Sequence, residues 1–217
     1  MKVFGILLAA GLSERFESDK LFATYKDKEL IRYPLETFLN CDDFHSIVIV
    51  CNETNIEKTK KILNSYAIDK KFEFILGGKT RQESEIFALN ALKFMDVDNN
   101  DLVAIHDCAR SFLPEDLLKE LITEAKTHGS CSPYIETSLY SKSSEKLLKD
   151  NLVEIQTPQI FKYEILEKAY LISVEDEMIS HDTTQQVSKN LNIESKVILG
   201  SDLNLSLIHI WRCRRAI

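Results

Sequence analysis

The sequence predicts a three-layer α/β/α fold in which one mostly parallel, twisted sheet is covered by helices on both faces. Apolar segments of strand length alternate with segments whose apolar residues recur at helical spacing. This alternation is typical of parallel sheets, because a crossover helix joins each strand to the next. The chain has 217 residues, of which 44% are hydrophobic, so it can bury the core of one domain and is short for two.

Strands and helices are predicted to alternate along most of the chain. Short apolar or β-branched runs predict strands at 3–9, 46–51, 72–76, 102–106, 131–135 and 196–199. Apolar residues at three- and four-residue spacing predict helices at 30–39, 56–66, 82–94, 114–128, 163–174 and 183–191. The fourth helix has the clearest start, since Pro114 precedes two acidic residues that favour the positive end of a helix dipole.

One stretch interrupts the alternation and predicts a protruding β-hairpin arm. Residues 137–155 alternate polar and apolar side chains around a turn signal at Asp150-Asn151. An isolated two-stranded hairpin is only marginally stable in water, so we expect the arm to rest on another surface. A surface hairpin without a partner is the alternative.

Composition argues against several classes of protein. Acidic residues outnumber lysine plus arginine by 34 to 27, a formal charge of -7, so we expect no global basic surface for nucleic acid. No apolar run is long enough for a membrane helix, and the first strand begins too close to Met1 for a signal peptide, so we expect a cytoplasmic protein. The five cysteines form no C-x-x-C pair, which favours reduced thiols over disulfides or zinc.

The first strand runs into a small-residue turn that has features of a phosphate site. Ala9, Ala10 and Gly11 end the strand and allow the backbone to approach a polyphosphate closely. Arg15 and Lys20 follow and supply positive charge. The turn fits neither a dinucleotide fingerprint nor a P-loop. Taken alone, it is equally compatible with an ordinary strand-to-helix connection that carries two solvated charges.

Arginine is scarce enough to be informative. The chain has seven arginines, three of them in its last six residues. Because a net acidic protein must hold a polyanion locally, this requirement singles out Arg15, Lys20, Arg81 and Arg110. The glycines at 77–78 and the segment 107–110 also follow strands. Ligands of parallel sheets bind beyond the carboxyl ends of strands, so one crevice can gather all of these residues.

Three further segments, with the first turn, resemble the motifs of one enzyme family in order. Gly77-Gly78-Lys79-Thr80-Arg81-Gln82-Glu83-Ser84 is similar to its Gly-Gly-x-x-Arg-x-x-Ser element. Ile105-His106-Asp107-Cys108-Ala109-Arg110 resembles its His-Asp-Ala-Ala-Arg element, and Gln156-Thr157-Pro158-Gln159-Ile160-Phe161 resembles its Thr-Pro-Gln-x-Phe element. Residues 1–205 are therefore similar to the 2-C-methyl-D-erythritol 4-phosphate cytidylyltransferases of non-mevalonate isoprenoid biosynthesis.

The resemblance implies a Rossmann-like fold and an enzyme that transfers CMP from CTP to 2-C-methyl-D-erythritol 4-phosphate, releasing pyrophosphate. Mg²⁺ is implied by the triphosphate, and a homodimer is implied because the family's arm crosses to a second subunit and completes its site. Two rival acceptors stay open: ribitol 5-phosphate and a molybdenum cofactor precursor. A non-catalytic nucleotide-binding or oligomerisation module is the alternative of another class.

The resemblance also assigns roles to individual residues. The catalytic cations are Arg15 and Lys20, which would clamp the triphosphate. The nucleotide-binding residues are Ala9, Ala10, Gly11, Gly78, Ser84 and Asp107. The substrate-binding residues are Asp107, Arg110, Thr137, Lys149 and Thr157. Asp107 is also the one candidate metal ligand, and His106 is expected to hold its loop by hydrogen bonding. For Lys20 the alternative is a solvated lysine, and for Asp107 and Arg110 it is an internal ion pair.

The chain departs from the family pattern at several positions. Lys149 stands where the family has arginine, His181 stands where it usually has threonine, and the spacing from Arg15 to Lys20 is shorter. A substrate-contacting lysine of the family would fall at Ser206. Residues 206–217 contain the only tryptophan and an arginine cluster, so we expect a non-native or truncated tail there.

Overall fold

An eight-stranded mixed sheet forms the centre of the fold. The computed structural model describes residues 1–11, 20–66, 71–141, 146–148, 152–175 and 182–206. The strands are β1 (Val3–Leu8), β2 (Thr24–Tyr25), β3 (Lys28–Glu29), β4 (Phe44–Cys51), β5 (Lys71–Leu76), β6 (Leu102–Asp107), β7 (Ser130–Glu136), β8 (Leu139–Ser141), β9 (Lys146–Leu148), β10 (Val153–Ile155), β11 (Gln159–Lys162) and β12 (Lys196–Leu199). The helices are α1 (Arg32–Asn40), α2 (Ile56–Leu63), α3 (Arg81–Leu92), α4 (Glu115–His128), α5 (Tyr163–Glu175) and α6 (Thr183–Leu191).

The strand order places a parallel half beside a mixed half. Strands β5, β4, β1 and β6 are neighbours and run parallel. Strand β11 lies antiparallel between β6 and β7. Cys131 of β7 pairs with Ile160 of β11 and with Lys196 of β12, so β11 and β12 occupy opposite edges of β7. The predicted Rossmann-like, mostly parallel sheet is therefore confirmed, with β10 and β11 as antiparallel members.

Helices pack on both faces of this sheet, and the central strands are buried on both sides. Val3 and Leu7 of β1 lie in a core cluster with residues of α1, α2 and α4. Phe4 and Ile6 lie in a second cluster with residues of α3, α5 and α6. Successive side chains of a strand point to opposite faces, so one strand supplies both cores. This explains why β1 is a nearly continuous apolar run.

All of the predicted strands and helices are present, with ends that shift by a few residues. Strand β11 and the short β2–β3 pair were not predicted, whereas β10 falls within the predicted arm. Strand β11 begins with the buried polar Gln159 and has four residues, so it carries neither an apolar run nor a clear alternation. Its pairing with β6 on one side and β7 on the other makes it a strand, and this is a tertiary effect.

The described part of the predicted arm contains antiparallel strand pairs. Strands β7 and β10 pair antiparallel at its base, where the Thr137 N–H donates to the Leu152 carbonyl at 3.1 Å. Beyond the base, β8 and β9 form a separate two-stranded sheet. Strands β8 and β9 pair antiparallel with each other, and the turn expected at Asp150-Asn151 lies outside the described residues.

Within the described ranges, no helix combines the length and the apolar character needed to span a bilayer. The cysteines in those ranges, Cys41, Cys51, Cys108 and Cys131, form no disulfide and are buried. Burial raises the pKa of the Cys131 thiol to about 12 and raises the pKa of Cys108 as well. Neither thiol is therefore a reactive thiolate near neutral pH.

Candidate active site

A cavity of about 410 Å³ opens where β1, β5 and β6 end. Seven residues that the sequence analysis assigned to the site line it: Ala9, Ala10, Gly11, Lys20, Gly78, Ser84 and Asp107. Lys79, Arg81 and Ser206 line it as well. The expected crevice at the carboxyl edge of the sheet is therefore present, because parallel neighbours bring their carboxyl ends to one edge.

Two asparagines hold the turn that follows β1. The Asn55 side chain is buried, and its Nδ2 group donates to the Ala9 carbonyl at 2.9 Å. Asn52 Nδ2 lies 3.4 Å from the Ala10 carbonyl oxygen, and the Ala9 N–H donates to Val50 of the neighbouring strand at 2.7 Å. Side chains at the end of β4 therefore fix the backbone that lines the cavity. The sequence analysis missed both asparagines, whose only local signal was their place after a strand.

The glycine pair after β5 is required by close packing. A Cβ atom on Gly77 would lie 2.5 Å from the Ala10 Cβ, and one on Gly78 would lie 2.3 Å from the Glu83 Cβ. The Gly78 N–H donates to the Ser84 hydroxyl at 3.1 Å, and that hydroxyl donates to the Thr80 carbonyl at 2.9 Å. Ser84 thus shapes the loop while it lines the cavity, and its role in nucleotide binding stays a prediction.

Arg81 is a cavity cation to which the sequence analysis gave no role, although it singled out the residue as a scarce arginine. Its Nε group donates to Asp107 Oδ1 at 3.3 Å, and its Nη1 group donates to the Thr183 hydroxyl at 3.2 Å. Nη1 also forms an ion pair with Glu85, one helical turn further along α3. The arginine therefore joins the start of α3 to the end of β6 and the start of α6.

The two carboxylates that contact Arg81 differ in environment. Glu85 is 1% exposed, and this burial raises its pKa to about 7 against the opposing charge of Arg81. Burial alone would raise the pKa of Asp107 too, but the charges of Arg81 and Arg110 outweigh it and hold that pKa below its usual value. Asp107 is thus kept ionised where it lines the cavity.

A buried histidine shapes the loop that carries Asp107. The Thr157 hydroxyl accepts the Asp107 N–H at 3.1 Å and donates to His106 Nδ1 at 2.9 Å, because the other ring nitrogen faces a carbonyl that can only accept. Nε2 of the ring is therefore protonated and donates to the Arg110 carbonyl at 3.1 Å. Burial lowers the pKa of His106 to about 4, so the ring is neutral at physiological pH. The prediction that His106 holds the loop by hydrogen bonding is confirmed.

Arg110 and Thr157 lie behind this loop and do not line the cavity. Arg110 is 6% exposed, its Nη1 group donates to the Asn204 carbonyl at 3.1 Å, and its Nε lies 3.9 Å from Asp107 Oδ2. Asn204 Nδ2 donates in turn to the Thr157 carbonyl at 2.7 Å. The internal Asp107–Arg110 ion pair is thus present, and acceptor binding by Arg110 and Thr157 stays a prediction.

Of the remaining predicted residues, one lies away from the cavity and two lie outside the described part of the chain. Thr137 lies at the base of the arm and is not among the residues that line the cavity. Arg15 and Lys149 lie outside the described residues. Ser206, the first residue of the expected tail, is 7% exposed and lines the cavity, whereas residues 207–217 are outside the described part.

Metal ligands are sparse around the cavity. In the described part of the chain, no three histidine, cysteine, aspartate or glutamate side chains come together as a metal-binding group. Asp107 is the carboxylate among the lining residues. Mg²⁺ in phosphate-transfer sites takes most of its ligands from phosphates and water and needs only one or two carboxylates. The donor set therefore fits Mg²⁺ bound with a triphosphate and does not fit an all-protein metal cage.

Comparison with known proteins gives one consistent result. The family model described as 2-C-methyl-D-erythritol 4-phosphate cytidylyltransferase matches residues 3–210. Curated proteins of that name are similar: one from Clostridium tetani is 33% identical over 189 residues, covering 82% of this chain and 75% of that protein. One from Dictyoglomus thermophilum is 32% identical over 216 residues, covering 95% and 91%.

Solved structures share the fold. A crystal structure of 4-diphosphocytidyl-2C-methyl-D-erythritol synthase aligns with a TM-score of 0.77 at 22% identity and covers 99% of this chain and 97% of that chain. The corresponding synthase from Anaerococcus prevotii aligns with a TM-score of 0.78 at 20% identity and covers 95% and 92%. At these identities the likeness concerns the architecture, and the cavity described above lies within the aligned domain.

Proposed function

Because this chain belongs to the 2-C-methyl-D-erythritol 4-phosphate cytidylyltransferase family, we propose that it transfers CMP from CTP to that sugar phosphate and releases pyrophosphate. One observation carries the proposal beyond family membership. The ends of three parallel strands meet at a cavity that combines small backbone-exposing residues, the cations Lys20 and Arg81, and the carboxylate of Asp107. A nucleoside triphosphate requires this combination of close backbone approach and local positive charge.

The reaction is a displacement at phosphorus. A phosphate oxygen of the acceptor attacks the α-phosphorus of CTP in line, a new P–O bond forms, and the bond to the bridging oxygen breaks as pyrophosphate leaves with the electron pair. A sugar phosphate is mostly dianionic at neutral pH, since its second pKa is about 6, so the attack needs no general base. Catalysis then depends on positioning and on charge stabilisation.

Each lining group has a task in this scheme. The fixed turn Ala9–Gly11 and Gly78 provide backbone at close range for the nucleotide. Lys20 and Arg81 face the developing charge on the phosphoryl oxygens, together with Arg15, whose role remains part of the proposal. Asp107 would hold Mg²⁺ with the triphosphate, and the ion would supply further neutralisation of the phosphate oxygens.

We further propose that the arm belongs to the acceptor side and acts in a homodimer in the cytoplasm. Support comes from its construction: β8 and β9 form a two-stranded sheet apart from the main sheet, and such hairpins are marginal unless they pack on another surface. A second copy of the chain would offer that surface. Thr137 and Lys149 would then contact the acceptor from the arm.

Pyrophosphate release in the presence of CTP and Mg²⁺ tests the proposal. Three parallel reactions contain 2-C-methyl-D-erythritol 4-phosphate, ribitol 5-phosphate or no acceptor, and calorimetry measures CTP binding separately. We expect release with the first acceptor and at least about tenfold less with the others, a difference of about 1.4 kcal/mol. Faster release with ribitol 5-phosphate would identify that compound, and not 2-C-methyl-D-erythritol 4-phosphate, as the acceptor. CTP binding without release in any reaction would favour a non-catalytic nucleotide-binding module.

A further inference from the structure

We propose that Glu85 is a positioning residue, whose buried carboxylate holds the Arg81 guanidinium against Asp107 on the wall of the cavity. Neither the family motif nor the sequence analysis assigns Glu85 a role. The inference rests on the proposed function, because transfer of the cytidylyl group is its main readout. Its structural content, the placement of Arg81, does not depend on which acceptor is used.

The geometry forms a closed set of contacts. Thr183 Oγ1 accepts a hydrogen bond from Arg81 Nη1 at 3.2 Å and donates one to Glu85 Oε1 at 3.1 Å. Glu85 forms an ion pair with the same Nη1 group. On the other side of the guanidinium, Nε donates to Asp107 Oδ1 at 3.3 Å. Contacts at two sides of a planar group fix both its position and its plane.

The burial of Glu85 makes a role in stability alone a poor explanation. A carboxylate that is 1% exposed is expensive to desolvate, and its attraction to a partner often only repays that cost. An apolar side chain at this position on α3 would avoid this desolvation free energy. We attribute the charge of Glu85 to its effect on Arg81, which lines the cavity. Without Glu85, the Arg81 guanidinium could turn toward Asp107 alone or toward bound phosphate.

Charge balance predicts a specific kinetic signature. Above the Glu85 pKa of about 7, Glu85 and Asp107 are both ionised and offset the charge of Arg81, so removal of the Glu85 charge makes the cavity wall more positive. A more positive wall binds a triphosphate at least as tightly in the ground state. A guanidinium that is no longer fixed stabilises the transition state less well, because charge stabilisation depends on donors that are already in place. The two effects together lower kcat without raising KM for CTP.

Glu85→Gln tests the proposal, since it preserves size and an acceptor oxygen and removes the charge. We expect kcat to fall about 10- to 100-fold, as when a reacting group is misplaced by about 1 Å, while KM for CTP stays the same or falls. The matched control is Asp101→Asn, the same carboxylate-to-amide change at another buried site, at the opposite end of β6. Asp101 accepts from the Lys2 and Asp98 backbone, so we expect lower stability and an unchanged kcat.

A double-mutant cycle determines whether Glu85 acts through Arg81. In an Arg81→Lys background, adding Glu85→Gln should change kcat by less than about twofold, because contacts that act as a unit are not additive. Losses that multiply would contradict the proposal. An unchanged kcat in Glu85→Gln, or a rise in KM for CTP with normal kcat, would overturn it.

A second variant and a structural readout keep the test independent of folding and of turnover. Thr183→Val removes one contact of Glu85 and preserves its charge, and we expect the same direction of change in kcat with a smaller size. Crystal structures should show Arg81 Nε near Asp107 Oδ1, at about 3.3 Å, in the natural protein and displaced in Glu85→Gln. An unmoved Arg81 would refute the positioning role. If the natural protein released no pyrophosphate with any acceptor, the proposed function would fail while this comparison still decided the placement of Arg81.

Discussion

The cavity at the strand ends and the β-hairpin arm are built in opposite ways. Around the cavity, backbone groups are held by buried side chains such as Asn55, and the two loops touch so closely that Gly77 admits no Cβ atom. In the outer arm, β8 and β9 pair only with each other among the described strands. One region is fixed by the core of the domain, and the other depends on two short strands.

This difference indicates which part of the site a single chain completes. Backbone that must approach a polyphosphate closely has to be rigid before the ligand arrives, and the buried sheet edge provides that rigidity. A short two-stranded hairpin is only marginally stable by itself, so it needs another surface before it can hold an acceptor in a fixed position. We therefore expect nucleotide binding to be a property of one protomer and acceptor binding to depend on what the arm contacts. The four predictions below test that division, from the largest expected effect to the smallest.

Lys20→Ala tests whether the positive charge in the cavity stabilises the transition state. Lys20 lines the cavity, so loss of its ammonium should lower kcat about 100-fold or more, the scale seen when one transition-state donor is removed. Thermal stability should not change, because the side chain is only half-buried. Steady-state pyrophosphate release measures the effect. Lys119→Ala, an exposed lysine on α4, is the control, and equal losses in the two variants would mean that Lys20 has no special role.

Gly77→Ala tests the rigidity of the cavity wall. The added Cβ would meet the Ala10 Cβ at 2.5 Å, so one loop must move and the free energy of unfolding should fall by about 1–3 kcal/mol. Gly11→Ala is the matched control on the same wall, where a Cβ meets no atom of the described residues within 4 Å. Its unfolding free energy should stay within about 0.5 kcal/mol of the natural protein. Denaturant titration compares them, and equal effects would show that the wall is softer than the structure indicates.

The buried ring of His106 predicts a pH dependence of stability. Its pKa is about 4 in the folded protein and near 6.5 when unfolded, so below pH 6.5 the unfolded state binds a proton that the folded state does not. Stability therefore falls as the pH decreases from about 6.5 to about 4, by about 2 kcal/mol between pH 7 and pH 5. Urea unfolding of the natural protein and of His106→Gln at both pH values measures it. A pH dependence that is the same in both proteins would exclude His106 as its source.

Replacement of residues 139–148 by a short Gly-Ser turn tests the arm. The outer hairpin is apart from the main sheet, so CTP affinity by calorimetry and the unfolding free energy should change little. KM for the sugar phosphate should rise roughly tenfold, about 1.4 kcal/mol of binding. Sedimentation of both proteins shows whether the arm also holds two copies together. Loss of CTP affinity would show that nucleotide binding also depends on the arm, contrary to this prediction.

The residues that the sequence analysis placed at the site are mostly those with a local signal. Ala9, Gly11, Gly78 and Asp107 each follow an apolar strand, and all of them line the cavity. Small residues and a carboxylate at strand ends can be identified without knowledge of the fold, because the carboxyl edge of a parallel sheet is where ligands bind. Arg110 and Thr157 carried the same kind of motif signal, and the structure buries both of them behind the loop.

The supporting residues had no comparable signal. Glu85 and Thr183 are 98 residues apart in the sequence and in contact in the structure. Asn204 and Thr157 are 47 residues apart, and their hydrogen bond braces the Asp107 loop from behind. The spacing of Arg81 and Glu85 on α3 was the one available clue, since side chains four residues apart on a helix are neighbours.

The sequence by itself determined the alternation of strands and helices, the parallel core of the sheet and the edge at which the site lies. These features follow from the period of apolar residues and from small residues at strand ends, which are properties of short segments. Only the tertiary structure decided that β11 is a strand, that Arg81 faces the cavity and that Arg110 does not. Those outcomes depend on which distant groups share one low-dielectric interior, where every buried charge and polar group must find a partner, and no short segment specifies that partner.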